Sequence, residues 1–192
     1  WAVWGVMAHR AAYGIAVLLV IVASKSVLGS GSNTKALGVF ALAIAAAGIA
    51  AFIGAVVTPP MVRLTSEARW STVVVVAAAV LVPAMVLLVT TEGFVAAAAA
   101  LGFAGQSIKI STDTVVGLTI DDHIRGRVFS LFDVGINVAL LLGIAAAGFL
   151  IPASGTSVAL SIATGGLLAV AAVLFYQSGR TQRDDRTALG DR

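Results

Sequence analysis

Long apolar segments alternate with short polar ones along the whole 192-residue chain. No Asp, Glu, Lys or Arg occurs between Lys35 and Arg63, between Arg69 and Glu92, or between Asp133 and Arg180. Each interval is long enough for one or two helices of about 20 residues, the length that crosses the hydrocarbon core of a bilayer. Because lipid offers no partner to an unpaired backbone group, helix is favoured over strand even in the Val-rich runs. The pattern therefore predicts an all-α membrane protein with six transmembrane helices.

The polar breaks between the apolar segments define the predicted boundaries. We place the spans at about residues 2–24, 36–60, 71–90, 93–115, 127–150 and 157–177. Turns are expected at residues 29–33, at Pro59 and Pro60, at Glu92 and Gly93, and at residues 152–157. Pro83 lies inside the third span, where it is expected to kink the helix unless a neighbour pairs the freed carbonyl. The prediction is one domain over residues 1–177, followed by a disordered polar cytoplasmic tail at 178–192.

Composition excludes several classes of protein. With 59% hydrophobic and 11% charged residues, the chain has too few polar side chains to cover a water-soluble globule. The net charge of +3 is scattered among loops rather than gathered in a stripe, so nucleic acid is not an expected partner. The chain has no cysteine, no HExxH, no Gly-x-Ser-x-Gly and no P-loop, so we expect no cofactor, no metal and no enzymatic activity, with an intramembrane enzyme as a remote alternative. The apolar start at Trp1 indicates that an upstream segment is missing.

Positive charge predicts the orientation in the membrane, because cytoplasmic loops carry an excess of Lys and Arg. Loops and tail on one side carry eight basic residues, whereas the other side carries only Lys25 and Lys35. The eight are Arg63, Arg69, Arg125, Arg127, Arg180, Arg183, Arg186 and Arg192. Both termini are therefore predicted to be cytoplasmic, in a multi-pass protein of the cytoplasmic membrane.

Polar residues inside the spans are the candidate functional residues, since an ion at mid-helix costs about 2.5–3.5 kcal/mol to insert. In the fourth span Gln106, Lys109 and Asp113 follow Gly102 at spacings that place them on one helix face, and Lys109 can pair with Asp113. In the fifth span Asp133 and Asn137 share a face, so the two faces meet if these helices pack antiparallel. Two interpretations stay open: a proton or substrate path, which we favour, and a polar knot that holds helices together.

The first span adds His9 and Arg10, about 9 Å deeper than Trp4. If Arg10 extends back to the lipid headgroups, the group of Lys109, Asp113 and Asp133 holds one excess negative charge, which favours a bound proton. If Arg10 turns inward, the four charges balance. His9 is interpreted as a packing residue more readily than as a proton relay, although it is included among the candidates.

Two segments resemble a known family. One contains Lys109, Asp113 and Thr114, then the stretch Asp-Asp-His-Ile-Arg-Gly-Arg-Val-Phe-Ser-Leu-Phe-Asp at 121–133, then Asn-Val-Ala at 137–139; the other is Ala-His-Arg-x-x-Tyr-Gly at 8–14. They resemble the tenth, eleventh and seventh helices of bacterial exporters in the major facilitator superfamily, particularly its siderophore-exporter-like and multidrug branch. The resemblance implies the C-terminal six-helix half of a twelve-helix transporter, although the loop after the second span lacks the family's Asp-Arg core.

The resemblance implies a function and roles for particular residues. It implies a secondary transporter that exports a small molecule, acting as a proton antiporter together with a second six-helix half. Lys109, Asp113, Asp133 and Asn137 are implied to line or brace a central cavity, and Arg125 and Arg127 to form a cytoplasmic gate; both arginines also fit a role as topology anchors. The alternative function is a non-transporting membrane scaffold, or a truncated relic of a transporter.

Overall fold

The chain folds into six long helices joined by short connections. The structure, a computed structural model, describes residues 1–28, 32–152 and 157–190. The helices are α1 (Ala2–Ala23), α2 (Asn33–Leu64), α3 (Glu67–Leu87), α4 (Thr91–Thr119), α5 (Asp122–Leu150) and α6 (Val158–Gly190), and a π-helical turn, Ser24–Leu28, extends α1. Each of the six contains a segment long and apolar enough to cross a membrane. The prediction of an all-α protein with six transmembrane helices is therefore confirmed.

Short polar side chains begin several of these helices. Ser32, Ser66 and Thr90 precede α2, α3 and α4, and each side-chain oxygen accepts a hydrogen bond from the backbone N–H three residues later. Such caps satisfy amide groups that the helix itself leaves unpaired. The sharp turns of this fold therefore come from local polar residues next to the apolar runs.

Two expected boundaries differ from the structure. Pro59 and Pro60 do not end α2, which continues to Leu64, and proline is more frequent in transmembrane helices than in soluble ones. Glu92 and Gly93 do not form the turn between α3 and α4; both lie in the first turn of α4, and the turn is at 88–90 with Val89 in the left-handed region (φ 51°). Gly93 is needed for packing, since a Cβ there collides with the carbonyl oxygen of Met85.

The other expected connections fall mostly on residues outside the described ranges. Most of two predicted turns lies at residues 29–31 and 153–156, which are outside the described ranges. Residues 191 and 192 are also outside them. Helix α6 continues through residue 190, and so includes most of the segment 178–192, for which the sequence predicts a disordered tail. This segment contains no proline and several good helix formers, so the chain offers no strong signal to end the helix.

The helices pack in two rows. The first row has the order α2, α4, α1, α5, and the second row, α3 and α6, lies against α4 and α1. Half of the most apolar segment of α1 and of α4 is buried, against 17% for α2 and for α5. The centre of the bundle is therefore the α1–α4 pair, and α2 and α5 are flanking helices with large apolar surfaces.

Glycines allow the close contacts within the first row. A Cβ on Gly102 of α4 collides with the carbonyl oxygen of Ala47 in α2, and a Cβ on Gly143 of α5 collides with that of Ala11 in α1. Gly14 of α1 is in equally close contact with the backbone of α5 at Leu140. Small residues are the usual means of bringing transmembrane helices together. Gly143 and Ala147, four residues apart on α5, are both buried.

In the second row, a proline takes part in the close contact between the two helices. Pro83 lies inside α3 and removes the hydrogen bond to the carbonyl of Ala79. Gly165 of α6 lies against both residues: a Cβ there would be 2.7 Å from Pro83 Cγ and 3.4 Å from the carbonyl oxygen of Ala79. Helix α6 thus covers the segment that the proline weakens, and α3 runs unbroken from Glu67 to Leu87.

Candidate functional site

An ionic cluster of three residues joins α4 to α5. Lys109 Nζ lies 3.0 Å from Asp113 Oδ2 and 3.3 Å from Asp113 Oδ1, so it donates to both oxygens of this carboxylate. The same Nζ lies 3.6 Å from Asp133 Oδ1 of α5. The structure therefore brings together the two polar faces that the sequence places on neighbouring helices.

The surroundings of the cluster hold the lysine in place. Lys109 and Asp113 are four residues apart on α4, the spacing at which side chains of one helix meet. The ring centroid of the buried Phe132 is 5.7 Å from Lys109 Nζ, within the range of a cation–π contact. The contact with Asp113 is thus local to one helix, whereas the contact with Asp133 depends on how α5 packs.

Helices α4 and α5 have little other contact with each other. Helix α1 stands between them in the first row, and α4 and α5 are not among the closely packed pairs in the described part of the chain. The side chains of Lys109, Asp113 and Asp133 are 29%, 34% and 57% exposed, so the cluster lies at the open surface of this row. The ion pair of Lys109 with Asp133 is therefore an important direct link between α4 and α5.

The candidate amides do not join this cluster. The side chain of Asn137 is exposed, and its Nδ2 donates to the backbone carbonyl of Asp133 at 2.8 Å, within its own helix. Gln106 is half-buried and lines a groove between α1, α2 and α4 together with Arg10. Among the described residues, neither amide forms a hydrogen bond with Lys109.

His9 and Arg10 follow each other on α1 but have different surroundings. His9 is fully buried, packs against Gly105 of α4, and has no hydrogen-bond partner for either ring nitrogen among the described residues. Its ring centroid is 6.4 Å from that of Tyr13. Arg10 is half-buried and forms no ion pair with any described residue. Arg10 thus does not join the ionic cluster, and a balanced four-ion arrangement is absent from this part of the chain.

The two arginines predicted as a gate lie in the first two turns of α5. Arg125 Nη2 is 2.6 Å from Asp122 Oδ1 and donates to the carbonyl oxygen of Ile120 at 3.1 Å, so it ties the start of α5 to the end of α4. Arg127 is exposed and has no ion pair within the described ranges. These contacts are compatible with both interpretations of the arginines, as gate residues and as topology anchors.

Two features of this region are missing from the sequence interpretation. Trp70 donates from Nε1 to Thr58 Oγ1 at 3.2 Å, and its ring meets that of Phe103 edge-on. Tyr13 and Phe40 line a groove that no motif indicated. The available signal for Tyr13 was its position three residues after Arg10, on the same face of α1.

Comparison with known proteins finds relatives that are named as transporters. Over 155 residues the chain is 35% identical to an uncharacterised MFS-type transporter of Mycobacterium bovis, and equally to one of Mycobacterium tuberculosis. The alignment covers 79% of this chain and 34% of each relative, so the chain spans about a third of the length of these relatives. No protein-family model and no solved structure matches it. Together with six apolar helices, the similarity indicates a multi-pass membrane protein.

Proposed function

We propose that this chain is one six-helix half of a secondary active transporter that exports a small molecule across the cytoplasmic membrane in exchange for protons. The second half is a further six-helix unit, from the same gene product or from another chain. The observation that carries the proposal is the cluster of Lys109, Asp113 and Asp133 at the open surface of the first row.

Exposed ions at membrane depth require cover. Lipid does not solvate charged side chains, so groups of this kind face an aqueous cavity or a protein partner. The row that carries the cluster also exposes large apolar side chains of the flanking helices, among them Phe52, Leu141 and Phe149. A second six-helix unit against this row would cover the apolar flanks and enclose the ions in a central cavity.

The charge of the cluster explains how protons would be coupled to transport. Two carboxylates share one lysine, and Arg10 does not pair with either of them in the described part of the chain. The cluster therefore carries one excess negative charge, and uptake of one proton neutralises it. Asp133 has the longer contact to Lys109 and the more exposed side chain, so it is the carboxylate we assign to proton binding.

Helix α5 connects that proton site to the cytoplasmic end. Protonation of Asp133 removes its ionic contact with Lys109 and so frees α5 from α4. Arg125 lies eight residues before Asp133 on the same helix, a distance of about 12 Å along the axis. Movement of α5 would thus be transmitted to the contacts of Arg125 and Arg127, with both termini cytoplasmic as the distribution of basic residues predicts.

The test measures proton-driven transport by the gene product that contains this chain, reconstituted in proteoliposomes. A fluorescent cationic dye, an aromatic carboxylate, a ferric siderophore and a radiolabelled sugar serve as probes, with and without a pH gradient. The Asp113→Asn/Asp133→Asn double variant is expected to abolish gradient-driven transport while its reconstituted amount stays normal. Asp121→Asn is the matched control, because this carboxylate is exposed and forms no side-chain cap on α5.

Two results would count against the proposal. Undiminished transport by the double variant would remove the proton site from these carboxylates. Failure to move every probe under a pH gradient, by a monodisperse wild-type protein, would favour the alternative of a non-transporting scaffold.

A further inference from the structure

A groove outside the ionic cluster runs along the first row between α1, α2 and α4. It consists of two adjoining cavities of about 280 Å³ and about 240 Å³ that share Tyr13, Ile44, Ala47 and Leu101 as lining residues. We call these two cavities the α1–α2–α4 groove. Each is of the order of a small-molecule pocket, and their shared walls make one elongated site.

The two ends of the groove differ in chemistry. One end is lined by Arg10 and Gln106, with Tyr13 beside them. The other end is lined by apolar residues of all three helices, including Val20 and Phe40, and by Val86 of α3. A ligand that fits both ends has a polar head and an apolar body.

The charge at the polar end selects the sign of that head. Arg10 is six residues beyond Trp4 on α1, about 9 Å further along the helix axis, and no described carboxylate pairs with it. The two carboxylates of the ionic cluster, Asp113 and Asp133, are engaged by Lys109. An arginine without an anionic partner at membrane depth is costly, and its guanidinium fits an anionic oxygen group through two parallel hydrogen bonds.

We infer that the α1–α2–α4 groove binds an amphipathic anion, with its carboxylate, phosphate or sulfonate group at Arg10 and Gln106 and its apolar body against Tyr13 and Phe40. The inference rests on the proposed function only in calling this ligand a substrate. A lipophilic cation, which aromatic walls alone would accept, is disfavoured by the positive charge of Arg10.

One position in the groove allows a direct test of occupancy. Gly48 of α2 lines the polar cavity, and a Cβ built on it meets no heavy atom within 4 Å. A leucine at this position therefore enters the groove without disturbing the helix contacts. Gly38 lies on the same helix with the same open surroundings but lines neither cavity, so Gly38→Leu is the matched control.

The experiment measures binding of three probes with one apolar body and different charge: 1-naphthoate, 1-naphthylmethylammonium and neutral 1-naphthalenemethanol. The whole gene product is placed in phosphatidylcholine nanodiscs, and equilibrium dialysis against empty nanodiscs corrects for partition into lipid. We expect naphthoate to bind more tightly than either other probe. Arg10→Gln should weaken naphthoate binding by about tenfold or more, with partial recovery in Arg10→Lys.

The steric variant provides an independent arm if Arg10→Gln fails to fold. Gly48→Leu should abolish binding of naphthoate and of the neutral alcohol, whereas Gly38→Leu should bind both as the wild type does. The inference is overturned if the cation binds as tightly as the anion, if Arg10→Gln binds naphthoate normally, or if Gly48→Leu retains binding.

Two further measurements are made. One distinguishes the possible sources of the anion, and the other distinguishes failure of this inference from failure of the proposed function. Displacement of naphthoate by added phosphatidylglycerol would identify the anion as a phospholipid, and its absence would identify a soluble ligand; both results support an anion site. Naphthoate binding by a protein that transports no probe would contradict the proposed function alone. Proton-driven transport without any naphthoate binding would contradict this inference alone.

Discussion

The α3–α6 contact and the α4–α5 contact join neighbouring regions of one bundle by opposite means. In the first, Gly165 lies directly against Pro83 and the carbonyl of Ala79, and Gly179 lies against Ala68, so backbone and small side chains meet without an ion. In the second, Lys109 reaches Asp133 over 3.6 Å between helices that otherwise have little contact. All four ions at membrane depth, Arg10 included, belong to the first row.

The difference predicts which of the two contacts can change. Close apolar packing is favourable only over a narrow range of helix separations. A gap of about 0.5–1 Å already loses about a quarter to a half of the dispersion energy. A contact between two charges changes with protonation and with the partner that covers it. The second row therefore has the properties of a fixed support, and the α4–α5 link has those of a reversible contact.

The largest expected effect comes from widening the fixed contact. Gly165→Leu places a side chain where even a Cβ would be 2.7 Å from Pro83 Cγ, so α6 must shift away from α3. We expect a loss of about 1–3 kcal/mol in the free energy of unfolding, as in overpacked cores. Thermal unfolding of the protein in detergent measures it as a lower Tm. The neighbouring Gly166→Leu is the control, since a Cβ at Gly166 meets no atom within 4 Å, and an equal drop in both variants would contradict the close contact.

We expect Lys109→Gln to lower the free energy of unfolding less than Gly165→Leu does, but to change the distance between α4 and α5. Loss of the lysine leaves Asp113 and Asp133 without their shared cation, so α4 and α5 should separate. Spin labels at the exposed Leu118 and Leu131 report this as a longer and broader distance distribution. Labels at Val73 of α3 and Tyr176 of α6 should show no change. An unaltered α4–α5 distribution would mean that packing, and not the ion pair, holds these helices.

The smallest effect is expected at the exposed ion pair near the start of α5. The side chains of Arg125 and Asp122 are 42% and 87% exposed, and water screens such a pair. Asp122→Asn should change the free energy of unfolding by less than about 1 kcal/mol. Chemical denaturation in detergent provides the measurement. A larger loss would show that this pair is part of a tighter network at the predicted gate.

Local spacing made part of the candidate site predictable. Lys109 and Asp113 are four residues apart, and helical geometry alone brings them together. We expected them to meet Asp133 if α4 and α5 packed antiparallel, but α1 stands between these helices, so the ion pair depends on how α1 holds both. The position of Arg10 had two alternatives, and only the packing of α1 against α2 and α4 placed it in the groove with Gln106.

The errors in the predicted boundaries arose at residues that are typical of turns but that lie inside helices in this protein. Pro59, Pro60 and Gly93 are strong local signals for turns, yet all three lie within helices of the structure. Gly93 is required by the carbonyl of Met85 on the other side of the α3–α4 turn, a contact that the local pattern of residue types does not show. The same holds for Trp70, whose hydrogen bond to Thr58 joins two helices.

The amino-acid sequence by itself determined the class of protein, the number of helices and the ions they carry into the membrane. The physical reason is that lipid excludes unpaired backbone groups and charges, so length and polarity along the chain are sufficient. The tertiary structure decided which ions meet, which helices pack closely, and where Arg10 lies beside an apolar groove. These depend on contacts between distant residues, which close packing of small side chains determines only when all six helices are assembled.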